Sequence, residues 1–103
     1  MDIEYLENEG KKNLIIKVSG DCDMYSAQEF FINVTKKINA GYISIYLDFR
    51  NVIYLDSSGI GAIIRVIRLS REKKINLKFR GIIGMPRKVL KMSNILTLIS
   101  EET

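Results

Sequence analysis

Residues 43–67 read ISIYLDFRNVIYLDSSGIGAIIRVI and contain the strongest structural signals of the chain. At 43–49 apolar residues alternate with polar ones, which is the pattern of a half-buried β-strand. We read the polar pair at 50–51 as a turn, after which a short apolar run at 52–55 leads into Asp56. Isoleucines then recur at helical spacing. The stretch therefore predicts a strand, a turn and a helix that begins near Asp56.

The predicted helix after Asp56 has one apolar face and one charged face. Its apolar positions are Ile60, Ile63, Ile64 and Ile67, and the charged positions opposite them are Arg65, Arg68 and Glu72. This division predicts that the isoleucines pack inward against a sheet while the charges contact solvent.

The rest of the chain continues the alternation of strands and helices. Its patterns predict strands at 2–7, 14–18 and 75–79, a turn at 8–13, helices at 27–39 and from Pro86, a left-handed residue at Asn94 and a short final strand at 95–99. Ser26 and Glu29 have the spacing of a capping box ahead of the first of these helices. The sequence thus predicts one layered α/β domain over residues 1–103, with a mixed sheet of about four to five strands and about three to four helices.

Composition excludes several classes of function. The formal charge is +4, but the basic residues are spread over predicted helix surfaces, which favours solvated faces over a nucleic-acid or membrane site. The chain contains no histidine, which removes Ser-His-Asp triads, Cys-His pairs and histidine metal sites. Cys22 is a single cysteine, and no apolar run approaches the ~20 residues of a membrane span. With no signal-peptide pattern at its start, we expect a cytoplasmic protein.

A carboxylate and two hydroxyls lie at the predicted start of the second helix, on Asp56, Ser57 and Ser58. Free backbone N–H groups and the positive end of the helix dipole favour an anionic oxygen there, so the residues fit a phosphate site. They equally fit a simple helix cap. Gly59 and Gly61 follow although glycine costs ~1 kcal/mol relative to alanine in a helix, so we interpret them as space for a closely approaching partner.

Residues 55–61, an apolar residue followed by Asp-Ser-Ser-Gly-Ile-Gly, resemble the signature of the STAS family, and specifically of small bacterial anti-sigma factor antagonists. Residues 19–23 resemble that family's Gly-Glu-Leu-Asp loop, with Asp23 at the acidic position, and residues 86–95 resemble its third helix. The family's usual Glu, Leu and Gly are replaced here by Asp21, Cys22 and Asn94. The resemblance implies a STAS-type domain.

The resemblance also implies a binding switch rather than an enzyme, with no cofactor and no metal. In the family, the first serine after the aspartate is phosphorylated by the anti-sigma factor, which is also an ATP-dependent serine kinase, and a serine phosphatase reverses the reaction. Carried over, Ser57 is the acceptor, and the unphosphorylated chain binds the anti-sigma factor and releases the sigma factor. The phosphosite environment would be Asp23, Asp56, Ser58, Gly59 and Gly61. The partner-binding residues would be Asp23, Ser57, Ser58, Ile60 and Gly61.

Three alternatives accompany this prediction. A STAS module of another partner-switching pathway would control a secretion, motility or signalling protein instead of a sigma factor. An enzyme with Ser57 or Ser58 as nucleophile would need a lysine base, for which the sequence offers no evident position. Direct nucleic-acid binding would rest on the positive charge alone.

Overall fold

The computed structural model describes residues 1–8 and 12–102 and confirms the predicted α/β class. The elements in chain order are β1 (Asp2–Asn8), β2 (Asn13–Cys22), α1 (Ala27–Ile38), β3 (Ser44–Leu55), α2 (Ser57–Glu72), β4 (Asn76–Arg80), α3 (Gly84–Met92) and a 3₁₀ turn at Leu96–Leu98. The predicted turn between the first two strands falls partly at 9–11, outside the described residues. None of the described helices is long and apolar enough to cross a bilayer.

The strand order is β1-β2-β3-β4, with β1 antiparallel to β2 and the other neighbours parallel. Parallel neighbours require a crossover connection, which α1 supplies between β2 and β3 and α2 between β3 and β4. The carboxyl ends of β2 and β3 therefore lie at the same edge of the sheet. There the N–H of Asp56 donates to the carbonyl oxygen of Cys22, 3.3 Å away. This edge brings the two predicted functional loops together.

Strand β3 is the centre of the hydrophobic core. Its Ile45, Leu47 and Phe49 are buried on the face predicted by the alternation of the sequence. The Phe49 ring packs edge to face against Phe30 of α1 and Phe79 of β4, with centroid separations of 5.9 and 5.3 Å. One row of aromatic rings thus joins the first helix to two strands of the sheet.

The predicted turn at residues 50–51 is wrong, because β3 continues through it as far as Leu55. The neighbouring β4 ends opposite Asp48, so the polar pair lies beyond that strand, where its side chains are exposed. On its other edge, β3 pairs with β2 as far as Leu55. The pairing has register shifts between Lys17 and Ser19 and between Gly20 and Asp21. Residues 50–51 are therefore polar because they are exposed beyond the end of β4, and not because the chain turns there.

The predicted final strand at 95–99 is also wrong. Residues 96–98 form a 3₁₀ turn, and strand-like pairing comes later, where the Phe79 N–H donates to the Ser100 carbonyl and the Glu102 N–H donates to the Phe79 carbonyl. Ile95 and Leu96 pack against the core from the turn, so their apolar character does not require a strand. The left-handed residue is confirmed at Asn94, which has φ 59° after the end of α3.

Helix α2 buries a face slightly rotated from the predicted one. The buried residues are Gly59, Ala62, Ile63, Val66, Ile67 and Ser70. Ile63 and Ile67 are therefore confirmed as core, whereas Ile60 and Ile64 are only partly buried. Gly59 lies on the buried side, where the absence of a side chain allows the helix to approach Cys22 and Leu55 closely.

Candidate functional site

Asp56 is the N-cap of helix α2. Its Oδ1 accepts hydrogen bonds from the backbone N–H groups of Ser58 at 2.9 Å and Gly59 at 3.2 Å. The N–H of Ile60 donates to the Asp56 carbonyl oxygen. The cap interpretation is thus confirmed for Asp56, and Ser57 is the first helical residue. Two backbone donors that would otherwise be open to an anion, those of Ser58 and Gly59, are already used.

The second oxygen of Asp56 ties the helix to the loop that follows β2. Its Oδ2 accepts a hydrogen bond from the backbone N–H of Met24 at 3.2 Å, across 32 positions of sequence. Together with the bond from the Asp56 N–H to Cys22, this contact holds the loop beside the start of α2. One aspartate therefore positions both segments that carry the predicted site residues.

Asp23 organises its own loop. Its Oδ1 accepts from the N–H groups of Tyr25 at 2.9 Å and Ser26 at 3.1 Å, an Asx-type turn. These hydrogen bonds, first of all the one from Tyr25, lower the pKa of the Asp23 carboxyl because they favour the ionised form. The capping box predicted at Ser26 and Glu29 is wrong: the Ser26 side chain makes no cap bond, and its hydroxyl donates to the Asp21 carbonyl at 2.6 Å.

Gly59 is buried against the ends of β2 and β3. A Cβ added there would overlap the carbonyl oxygen of Cys22 and lie 2.6 Å from Cδ1 of Leu55. The close approach that this glycine permits is therefore internal, and our interpretation of it as space for a partner is wrong. The Cys22 thiol beneath it is buried, and this burial, with smaller contributions from Asp56 and Asp23, raises its pKa to about 12.

Gly61 has the opposite surroundings, since apart from its chain neighbours and the backbone of its own helix no atom lies within 4 Å of a Cβ built on it. With Ser57 and Ser58 it faces a groove between α1 and α2 with a volume of about 400 Å³. Both serines are exposed. The structure thus brings Ser57, Ser58 and Gly61 to one concave surface, with Asp23 and Asp56 in the adjoining loop and cap. Ile60, also predicted to bind the partner, packs partly into the core.

The walls of this groove, which we call the serine groove, include apolar side chains that were not among the predicted site residues. Met24 from the loop and Phe31 and Ile32 from α1 line it. Met24 is 68% exposed and its neighbour Tyr25 is 86% exposed, large values for apolar residues. For Met24 and Tyr25, the signal in the sequence was their position directly after Asp23.

Arg65 completes the serine groove at the end away from the loop. Its guanidinium lies over the ring of Phe31, with 3.8 Å between the guanidinium carbon and the ring centroid. Arg65 lies on the exposed face of α2, as predicted, although it was not among the predicted site residues. Among residues 1–8 and 12–102, no cluster of three or more side chains has the composition of a metal site.

A four-stranded mixed sheet with an exposed serine at the head of its second helix defines a small α/β domain. The STAS domain model matches residues 3–103, so the chain belongs to the STAS domain family. It is 28% identical over 67 residues to the anti-sigma-B factor antagonist of Staphylococcus aureus, a match covering 65% of this chain and 62% of that protein. The chain thus spans less than two thirds of this relative's length.

Two solved structures of SpoIIAA share the fold. The unphosphorylated anti-sigma factor antagonist SpoIIAA superposes with a TM-score of 0.77 at 18% identity, covering 99% of this chain and 89% of that one. The phosphorylated form of the Bacillus protein gives a TM-score of 0.71 at 18% identity, covering 99% and 92%.

Proposed function

We propose that this chain is an anti-sigma factor antagonist whose unphosphorylated form binds an anti-sigma factor that is also a serine kinase, and so releases the sigma factor. Phosphorylation of Ser57 ends the binding and a serine phosphatase restores it. The observation that carries the proposal is the position of Ser57, exposed at the head of α2 on a groove with apolar walls. The relatives named as antagonists support the choice of partner. The anti-sigma factor and the sigma factor of this proposal act on transcription, which implies a cytoplasmic location.

Binding, rather than catalysis, fits the chemistry of the site. Ser57 and Ser58 lie in a chain without histidine, and the carboxylate beside them, Asp56, is engaged in capping the helix and holding the loop. A nucleophilic serine needs an adjacent base that is free to take its proton. The exposed apolar side chains of Met24 and Tyr25 are instead typical of a surface that another protein covers.

Phosphorylation would change the charge of this surface strongly. A phosphoserine adds about −1.5 to −2 charges at neutral pH, next to Asp56 and near Asp23. A partner that packs against a neutral hydroxyl would then have to bury an unpaired anion. We expect the fold to tolerate the same charge because Ser57 is exposed and its side chain contacts solvent.

Titration of the purified chain with the kinase-like anti-sigma factor of the same genome tests the proposal. We expect the wild-type chain to bind and Ser57→Asp to bind about a hundredfold or more weakly, since burying an unpaired charge costs several kcal/mol. Thr97→Asp, an exposed position outside the serine groove, is the matched control and should bind normally. A wild-type chain that binds a secretion, motility or signalling protein instead would contradict the sigma-factor assignment.

Phosphate transfer tests the acceptor. The kinase should modify wild-type protein and Ser58→Ala but not Ser57→Ala, because Ser57→Ala lacks the acceptor hydroxyl whereas Ser58→Ala lacks only a neighbouring one. Transfer to Ser57→Ala that disappears in Ser58→Ala would show that Ser58 is the acceptor.

A further inference from the structure

Two backbone donors at the start of α2, the N–H groups of Ser58 and Gly59, would not be free to bind a phosphate on Ser57. Asp56 accepts the N–H groups of Ser58 and Gly59 with one carboxylate oxygen and that of Met24 with the other. The nearby carboxylate of Asp23 would repel the phosphate. A cation on another part of the surface would therefore stabilise the phosphate more than these occupied donors can.

Arg65 is a cation in the same groove as Ser57. The ion pairs within residues 1–8 and 12–102 are Arg80–Glu102 and Arg87–Glu101, so Arg65 has no carboxylate partner in this part of the chain. Its guanidinium instead rests on Phe31, another lining residue of the groove. An exposed contact of this kind is weaker than a pair with a phosphate, so Arg65 is available to an anion.

The helix places Arg65 and Ser57 on one face. Ser57, Gly61 and Arg65 follow each other at intervals of four residues, so they form one stripe along α2. With a rise of about 1.5 Å per residue, the Cα atoms of the two outer residues are about 12 Å apart. Long side chains on a helix lean toward its N-terminus, which is the direction of Ser57 from Arg65. Between them is Gly61, where the surface is open.

We propose that Arg65 binds the phosphate of phosphorylated Ser57 across Gly61, so that the phosphoserine and the guanidinium together occupy part of the serine groove. The inference rests on the proposed function for the phosphorylation itself. The planar guanidinium donates two parallel hydrogen bonds to phosphate oxygens, a geometry that lysine does not reproduce. In the unphosphorylated chain Arg65 stays on Phe31 and the groove is open. Phosphorylation then closes the partner's binding surface by occupying it, in addition to changing its charge.

The test uses the whole chain with phosphoserine incorporated at position 57 during translation, so that no kinase is needed. Phosphorus NMR gives the second pKa of the phosphate, which is ordinarily about 6. Arg65 favours the dianion and lowers this pKa, so Arg65→Ala should raise it by about 0.5 unit at low salt. Arg68→Ala removes an exposed arginine of the same helix that does not line the groove, and should leave the pKa unchanged. The Arg65 effect should shrink at high salt.

A second variant separates Arg65 from the phosphate on Ser57 without removing the charge of the arginine. Gly61→Leu fills the space between the two side chains and should raise the phosphate pKa as Arg65→Ala does. The same pKa in wild type and Arg65→Ala, or an equal rise in Arg68→Ala, would overturn the proposal. Failure of the proposed function would show differently, as a wild-type unphosphorylated chain that does not bind the anti-sigma factor.

Discussion

Gly59 lies directly against the carbonyl oxygen of Cys22, so that a methyl group on this residue would overlap the end of strand β2. Two residues later, Gly61 faces open space on the serine groove. The two glycines occur in one short motif, yet one permits internal packing and the other leaves a surface free. Their different surroundings give a direct test of how α2 is placed on the sheet.

Gly59→Ala should destabilise the domain by about 1–3 kcal/mol, because the added methyl forces the helix away from Cys22 and Leu55. Gly61→Ala should stabilise it by up to about 1 kcal/mol, because alanine has the higher helix propensity and fits the open space. Urea denaturation of both variants measures the difference. Equal effects of the two substitutions would show that the helix does not contact β2 as described.

Two substitutions at Asp56 separate its cap from its contact with the loop. Asp56→Ala removes both and should cost about 1–2 kcal/mol. Asp56→Asn keeps a carbonyl oxygen for the N–H groups of Ser58 and Gly59, but offers an NH₂ group where Oδ2 accepts from Met24. Asp56→Asn should therefore destabilise the domain less than Asp56→Ala does.

Amide hydrogen exchange distinguishes the two effects of these variants. Exchange of the Met24 N–H should accelerate in both, whereas exchange at Ser58 and Gly59 should accelerate only in Asp56→Ala. Unchanged exchange at Met24 in Asp56→Asn would mean that the loop is held by its other contacts.

Adjacent isoleucines of α2 test the face of the helix. Ile63 is fully buried, so Ile63→Ala should destabilise by about 2–5 kcal/mol through lost burial and a residual cavity. Ile64 is only partly buried, so Ile64→Ala should cost clearly less. Thermal or urea unfolding measures both. A larger loss at Ile64 would mean that the helix is rotated relative to this description.

The helix and strand content was predictable because it depends on local patterns. The alternation at 43–49 and the isoleucine spacing after Asp56 each determine an element without reference to the rest of the chain. The continuation of β3 through 50–51 was not predictable in this way, since it depends on where β4 ends. The serine groove was missed for a related reason: Phe31 and Arg65 meet only when α1 and α2 pack together, 34 positions apart in sequence.

The buried Cys22 thiol should make stability depend on pH above about 9. Burial, followed by the negative charges of Asp56 and Asp23, raises its pKa from 9.0 to about 12 in the native state. In the unfolded chain the thiol ionises near its ordinary value. Between these two pH values the unfolded chain has lost the proton that the native chain keeps, so the free energy of unfolding falls as pH rises. Below pH 9 both states are protonated and the thiol contributes no slope.

Urea unfolding of wild type and Cys22→Ala at several pH values between 8 and 11 measures this contribution. The comparison with the variant isolates the thiol from the other side chains, which the two proteins share. Alanine leaves a small cavity and should be less stable than wild type at pH 8. That difference should narrow steadily as pH rises, because only the wild type loses the contribution of the protonated thiol. Parallel pH profiles for the two proteins would mean that the native thiol ionises as readily as the unfolded one, and is therefore not held in the apolar surroundings described.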